Sequence, residues 1–179
     1  MTTSKNLAVC GIFTGLSLAL LYLVSFIPTL DLALPAAAGL LLIVIVLELG
    51  RGWAFGVFAA CAAVAFFVVP NKSVTLYYAG FFGYYPILKS FLEQKLPRVP
   101  EWIVKILFFN AAIIGMYFLA LKFLGLDMGG FPPNLARYLP LILLVLANVT
   151  FLIYDIMVID RVAILYNKRL QAKFRRFFH

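Results

Sequence analysis

The stretch NLAVCGIFTGLSLALLYLVSFIPTL, residues 6–30, contains no Asp, Glu, Lys or Arg. Five further intervals are equally free of charge: 32–47, 52–71, 73–88, 106–121 and 138–154. A helix that crosses a bilayer needs roughly 17–25 mostly apolar residues. Three intervals reach that length unaided, and the others reach it when long side chains at their ends extend to the interface. The sequence therefore predicts an all-α integral membrane protein, a compact bundle of six transmembrane helices over 6–27, 32–49, 52–69, 74–94, 101–123 and 137–158.

The composition excludes a soluble domain. Of 179 residues, 65% are hydrophobic and 12% are charged, about half the ~25% of an ordinary soluble domain. Six spanning helices leave little chain for anything else, so we expect residues 1–158 to form the transmembrane domain. Residues 159–179 alternate basic and aromatic side chains, which predicts a basic amphipathic tail on the cytoplasmic membrane surface. A plain stop-transfer anchor is the alternative, and it gives the same topology.

The distribution of basic residues predicts the topology. The chain carries 15 basic and 7 acidic residues, a net charge of +8. In this arrangement, twelve basic residues lie on the same side of the membrane as the N-terminus. Only Lys72, Lys122 and Arg137 lie on the opposite side. The positive-inside rule then places both termini in the cytoplasm. Because the basic residues lie between hydrophobic segments, they indicate topology and not a nucleic-acid partner.

The residues that would support catalysis are missing. The only histidine is His179, so no Ser-His or Cys-His pair and no histidine metal cluster can form. Asp155 and Asp160 lie five residues apart, too far round an α-helix to share a face. Cys10 and Cys61 both lie inside apolar segments, where we expect packing and no disulfide. No glycine loop for a nucleotide phosphate is present. We therefore expect no enzyme activity, no metal and no cofactor.

Two helices carry stripes of small residues. In the first, small side chains recur at helical spacing, at Ala8, Gly11, Gly15 and Ala19. Such a stripe lets helix backbones approach closely in lipid, either against a partner or inside the protein's own bundle. The third helix repeats the pattern at Gly52, Gly56 and Ala60, which we interpret as internal packing.

Polar side chains inside the apolar helices are candidates for a site. Asn110 and Asn148 both lie near mid-membrane, where polar groups are costly. They either hydrogen-bond to each other or form the floor of a pocket; in the second case Asn148→Leu would weaken ligand binding without unfolding the protein. The fourth segment is dense in aromatics from Tyr77 to Tyr85, and Pro86 should kink it. The hydroxyls of its deeper tyrosines need partners on neighbouring helices or in a cavity.

The chain resembles the substrate-binding S components of energy-coupling factor (ECF) transporters, small bacterial proteins of six helices with cytoplasmic termini. The resemblance covers essentially the whole chain. It rests on the size, the topology, the small-residue stripe of the first helix and the tight glycine-rich connection LELGRGWAFG at 47–56. In that family the first-helix motif is richer in alanine and faces the transmembrane coupling subunit.

The resemblance implies a multi-pass protein of the bacterial plasma membrane that captures a vitamin-like small molecule from outside. Its partners would be a transmembrane coupling subunit, two ATPase subunits and membrane lipids. The pocket would lie in the outer half, and the implied binding residues are Asp31, Lys72, Tyr77, Tyr78, Asn110, Tyr117 and Asn148. The rival interpretation is a non-transporting scaffold similar to the MreD-type cell-shape proteins, which would have no outward cavity. A small lipid-handling enzyme is disfavoured by the scattered acids.

Overall fold

The computed structural model describes residues 3–124 and 139–166, and within them the chain is helical without strands. Its helices form six rods. Rods 1, 2 and 3 are α1 (Thr3–Leu23), α2 (Ala33–Glu48) and α3 (Arg51–Val68). Rod 4 joins α4 (Lys72–Tyr77), a π-helical segment (Tyr78–Phe82) and α5 (Tyr85–Lys95). Rod 5 is α6 (Arg98–Leu124), and rod 6 joins α7 (Leu139–Ile153), a second π-helical segment (Tyr154–Ile159) and α8 (Asp160–Leu165).

The predicted helix positions are confirmed to within a few residues at most ends. Four described helical stretches are long and apolar enough to cross a membrane: Thr3–Leu23, Arg51–Val68, Arg98–Leu119 and Leu141–Leu165. Helix α2 is apolar but has 16 residues, about 24 Å at 1.5 Å per residue. The chain is therefore compatible with a multi-pass membrane protein. Rod 6 continues past residue 158 to Leu165, and residues 167–179 of the predicted tail lie outside the described residues.

Rods 1, 2 and 3 pack around one apolar core. The connection between α2 and α3 is only Leu49–Gly50, and Gly50 has a φ of +92°, a conformation that residues with a Cβ rarely adopt. The tight turn brings α3 back along α2, and α1 packs against both. The buried side chains are mostly small or branched, as at Val9, Leu42 and Cys61. Cys10 and Cys61 are both buried free thiols, as expected.

Rods 4, 5 and 6, together with Ile43 of rod 2, form a second core that is mainly aromatic. Its buried members are Ile43, Phe81, Tyr85, Phe109, Phe151, Tyr154 and Ile159. Rod 4 is interrupted at Gly83–Tyr84, and α5 then begins with Tyr85 and the Pro86 predicted to kink this segment. The π-helical turn before this break closes with a hydrogen bond from the Gly83 amide to the Tyr78 carbonyl, at 2.8 Å. Such π turns are often found at functional sites.

Gly39 of α2 permits the close approach of rod 4. A Cβ at this position would overlap the backbone carbonyl of Phe82, at the end of the first π-helical segment. The two backbones are therefore in direct contact at a point where a side chain could not fit. This contact fixes the first π-helical segment against rod 2 and sets the position of Phe81 and Phe82.

Candidate ligand cavity

A cavity of about 610 Å³ lies between rods 2, 4, 5 and 6. This volume falls within the range of small-molecule binding sites, roughly 300–1,000 Å³. The cavity extends from the N-terminal ends of α2 and α4, at Leu32 and Ser73, to the second core around Phe81 and Phe151. No charged side chain is among the described residues that line it, and most of the lining is apolar or aromatic. The cavity therefore suits a largely apolar ligand.

The floor of the cavity is a set of aromatic rings in mutual contact. Phe109 and Phe151 stack with ring centroids 4.4 Å apart and planes 14° apart. Phe81 packs edge-on against both, at 5.0 Å and 5.8 Å. Phe82 and Tyr154 add a further edge-on pair at 5.5 Å. Flat rings can pack against such a surface face-to-face or edge-on, each pair contributing about 0.5–1.5 kcal/mol beyond area burial.

Two of the residues implied by the family resemblance, Tyr77 and Tyr117, line the cavity. Asp31 lies just before the lining residue Leu32, close enough to interact electrostatically with Tyr77. Its buried Oδ1 accepts no hydrogen bond from any described residue. Lys72 is turned away to the end of α3, where its Nζ donates to the carbonyls of Phe66 and Val69, at 2.6 Å and 3.0 Å. It therefore caps a helix.

The remaining implied residues lie away from the described lining. Tyr78 is fully buried in the first core, with its ring 6.0 Å from that of Phe58. Asn110 and Asn148 bond to each other: each Nδ2 donates to the other's Oδ1, at 3.1 Å and 3.0 Å. The amides also donate to the carbonyls one turn earlier in their own helices. Of the two interpretations of these asparagines, the structure therefore supports the mutual hydrogen bond.

A buried network of charges lies directly beneath the aromatic floor. Asp155 and Lys105 each expose 1% of their side chains, and Lys89 exposes 5%. The Asp155 carboxylate accepts hydrogen bonds from Lys89 Nζ and the Tyr85 hydroxyl, both at 2.7 Å, and from Lys105 Nζ at 3.3 Å. One carboxylate thus joins rods 4, 5 and 6. Asp155, Lys89, Lys105 and Tyr85 are called the ion network below.

Three further acids surround the ion network. Glu93 contacts both lysines, at 3.2 Å and 3.1 Å, and Glu101 pairs with Lys105 in the same helix. Asp160 lies 2.7 Å from Lys89 but is about half exposed. Two lysines therefore meet four carboxylates, and the most deeply buried of the four is Asp155.

Two physical features conceal this network in the sequence. Lys89 and Lys105 were counted among the basic residues that signal topology, although both are buried. Without them the bias is ten against three, which still favours the same side. Asp155 and Asp160 were expected on different helix faces. The second π-helical segment changes this, because its wider turn brings residues five apart closer to one face than a regular α-helix does, and both acids reach Lys89.

Both small-residue stripes face outward. Ala8, Gly11, Gly15 and Ala19 are all exposed, and a Cβ on either glycine would meet nothing within 4 Å. The stripe on α1 therefore does not pack against the described part of this chain. The prediction that the α3 stripe packs internally is wrong: Gly52, Gly56 and Ala60 are exposed as well. The buried face of α3 is the opposite one, formed by Ala54, Val57, Cys61 and Ala65.

Within residues 3–124 and 139–166, no three His, Cys, Asp or Glu side chains are grouped so that they could hold a metal ion. Comparisons of the chain with models of known protein families, with curated proteins and with solved structures found no match. The features of the chain that bear on its function are therefore the cavity, the network beneath it and the outward faces of α1 and α3.

Proposed function

We propose that the protein captures a small, ring-bearing, mostly apolar molecule in this cavity, as the substrate-specific membrane subunit of an ECF-type importer. The observation that carries the proposal is the cavity itself. Its volume suits a small molecule, and it lies at the end of the bundle that the basic-residue pattern assigns to the outer face. A scaffold of the MreD type would need no such cavity.

The lining supports a ligand of defined chemistry. Since no charge is present among the described lining residues, a carboxylate or phosphate inside the cavity would lose its hydration without compensation. The aromatic floor favours a flat ring. Near the other end, Ser73 and Tyr77 place hydroxyl groups among the lining residues, and a hydroxyl can donate or accept a hydrogen bond. The ligand would thus have an apolar ring system with a hydrogen-bonding group at one end.

The outward stripe on α1 supports the second half of the proposal, an obligate membrane partner. Four small residues leave a shallow helix face on which another helix could pack closely in lipid, where van der Waals contact drives association. The α3 face is shallow in the same way. An importer subunit with cytoplasmic termini would meet its coupling subunit, and through it two ATPases, across such a surface in the bacterial plasma membrane.

Native mass spectrometry of the tagged protein, gently extracted from its host's membranes, tests the proposal. The spectrum of the parent protein should show a small bound molecule, or a complex with a membrane subunit and two ATPases. Ala147 lines the cavity, so Ala147→Phe should fill it and remove the small mass. Ala111→Phe, on the exposed face of α6, is the matched control and should retain it.

A contrary result would be equally informative. If neither a small molecule nor ATPases accompany the parent, and a cell-wall or cytoskeletal protein does, the scaffold interpretation replaces capture. If Ala147→Phe retains the same small mass at the same occupancy as the parent, the molecule binds elsewhere and this cavity is not its site.

A further inference from the structure

The aromatic floor and the ion network form two layers in register. Phe81, Phe109 and Phe151 line the cavity, one from each of rods 4, 5 and 6. Each is four residues along its own rod from a member of the ion network: Tyr85, Lys105 and Asp155, respectively. The layers also touch, because the Tyr85 ring stacks on Phe81 at 4.7 Å and packs edge-on against Phe151 at 5.3 Å.

We propose that the ion network is the closed inner gate of the cavity, in which Asp155 locks rods 4, 5 and 6 together beneath the aromatic floor. This inference rests on the proposed capture of a ligand in the cavity, and it concerns how that ligand is kept from the opposite side of the membrane. Opening would separate the three rods at Asp155 and allow the three phenylalanines to move apart.

The chemistry of the network fits a gate better than a permanent plug. Buried ion pairs give little more stability than apolar residues of the same volume, because desolvation offsets their attraction. Their difference lies in the open state. Once water enters, Lys89, Lys105 and Asp155 regain hydration, whereas separated apolar side chains would be exposed at a cost. A charged junction therefore lowers the free energy of the open state while keeping one defined closed arrangement.

The two π-helical segments supply a means of movement. Each has more residues per turn than an α-helix, and both lie at the floor and network level. Conversion of such a turn to α-helix shifts later residues by up to about 100°, the angle per α-helical residue. Tyr85 and Lys89 follow the first π-helical segment, and Asp155 lies within the second. Conversion of either segment would take these side chains out of register with Lys105.

Cysteine accessibility from the two membrane faces tests the gate. Ala147→Cys places a thiol in the cavity. The protein that retains Ala147 serves as the control for background labelling of the buried Cys10 and Cys61. A membrane-impermeant thiol reagent is added to sealed vesicles of either orientation. The reporter should react from the cavity face and remain protected from the network face.

Asp155→Asn should raise the labelling rate from the network face by roughly 10- to 100-fold, because it removes charged hydrogen bonds to both lysines. Asp160→Asn is the matched control: it is the same change on the same rod, next to the same Lys89, but at a half-exposed position. Its rate should stay within about twofold of the parent, a span well under 1 kcal/mol by the same conversion. Equal rates for parent and Asp155→Asn, or an equal rise in both variants, would overturn the gate.

Tyr85→Phe keeps the test decisive if Asp155→Asn fails to fold. It removes one hydrogen bond and retains every ion pair, so a rise of about 2- to 10-fold is expected. An unchanged rate in that folded variant rejects the gate. Failure of ligand capture is distinguished separately: a protein that gates as described but carries no small molecule in native mass spectrometry refutes capture alone. Labelling of the cavity face at the parental rate shows that each variant is folded.

Discussion

The Asn110–Asn148 pair allows a double-mutant cycle whose outcome follows from its geometry. Two reciprocal hydrogen bonds, at 3.1 Å and 3.0 Å, join α6 to α7. Interhelical hydrogen bonds in membranes average about 0.6 kcal/mol each, with a maximum near 1.7 kcal/mol. Both amides are also held by the carbonyl one turn earlier, so little side-chain freedom remains to be lost when they pair. We therefore expect a coupling free energy of about 1–2 kcal/mol.

The cycle uses Asn110→Leu, Asn148→Leu and the double variant, since leucine matches asparagine in size and suits an apolar bundle. Each single variant leaves one amide oxygen without its donor, and should lower the free energy of unfolding by about 1–2 kcal/mol. The double variant removes both partners, so it should cost no more than either single change. Unfolding in mixed micelles with increasing dodecyl sulfate, followed by circular dichroism, measures all three values.

The same variants decide between the two interpretations of these asparagines. Neither side chain is among the described lining of the cavity. The Asn148→Leu protein should therefore bind the small molecule at an occupancy within about twofold of the parent, which is a change in binding free energy well under 1 kcal/mol. Additive effects on stability, with a coupling below about 0.3 kcal/mol, would refute the paired geometry. Loss of the ligand in a folded Asn148→Leu protein would return this residue to the binding site.

Further predictions concern glycines. Gly39→Ala should lower the free energy of unfolding by about 1–3 kcal/mol, because its Cβ would overlap the Phe82 carbonyl. Gly115→Ala is the control and should not lower it, because a Cβ at Gly115 meets nothing within 4 Å. Equal free energies of unfolding for the two variants would refute the close contact. Gly50→Ala should cost about 1–3 kcal/mol in the same assay, since its φ of +92° and ψ of 170° lie in a region essentially confined to glycine. Gly15→Leu should leave stability unchanged but abolish co-purification of a coupling subunit, and a retained complex would show that this face is not the interface.

The positions of the helices could be predicted because a bilayer constrains the chain so strongly. A charge-free interval of sufficient length has few alternatives to a helix, since every backbone group in lipid must be hydrogen-bonded internally. The interruption near Pro86 was equally readable from the sequence, because proline lacks a donor and clashes with the preceding turn. Tyr85 was expected to need a partner for its hydroxyl, and it finds one in Asp155.

The ion network could not be predicted, because each of its members had a more ordinary explanation. Lysines at the ends of apolar segments normally lie in the interface, and nothing local marks Lys89 and Lys105 as buried. The spacing of Asp155 and Asp160 argues against a shared face only if the helix is regular. A π-helical turn leaves no clear mark in a sequence, so the geometry that joins the two acids to Lys89 emerges only from the folded chain.

The sequence pattern alone could not predict whether the small-residue stripes face into the bundle or out of it. A face of glycine and alanine promotes close packing whether the neighbour is in the same chain or in another. On α3 a second set of small residues, among them Ala54 and Cys61, forms the buried face of the helix, so Gly56 lies on the surface. Helices that are small on two faces at once do not reveal from spacing which face is buried.

The two halves of the bundle differ in a way that bears on mechanism. Rods 1, 2 and 3 share an apolar core, and rods 1 and 3 present their stripes of small residues on the outside of the bundle. Rods 4, 5 and 6 contain the aromatic floor and the buried charges, and with the start of rod 2 they enclose the cavity. Apolar close packing resists small displacements, whereas the charges of the ion network regain hydration when their junction opens. A partner held on the rigid half could therefore stay docked while the other half changes, so that binding of the partner and opening of the cavity need not compete for the same surface.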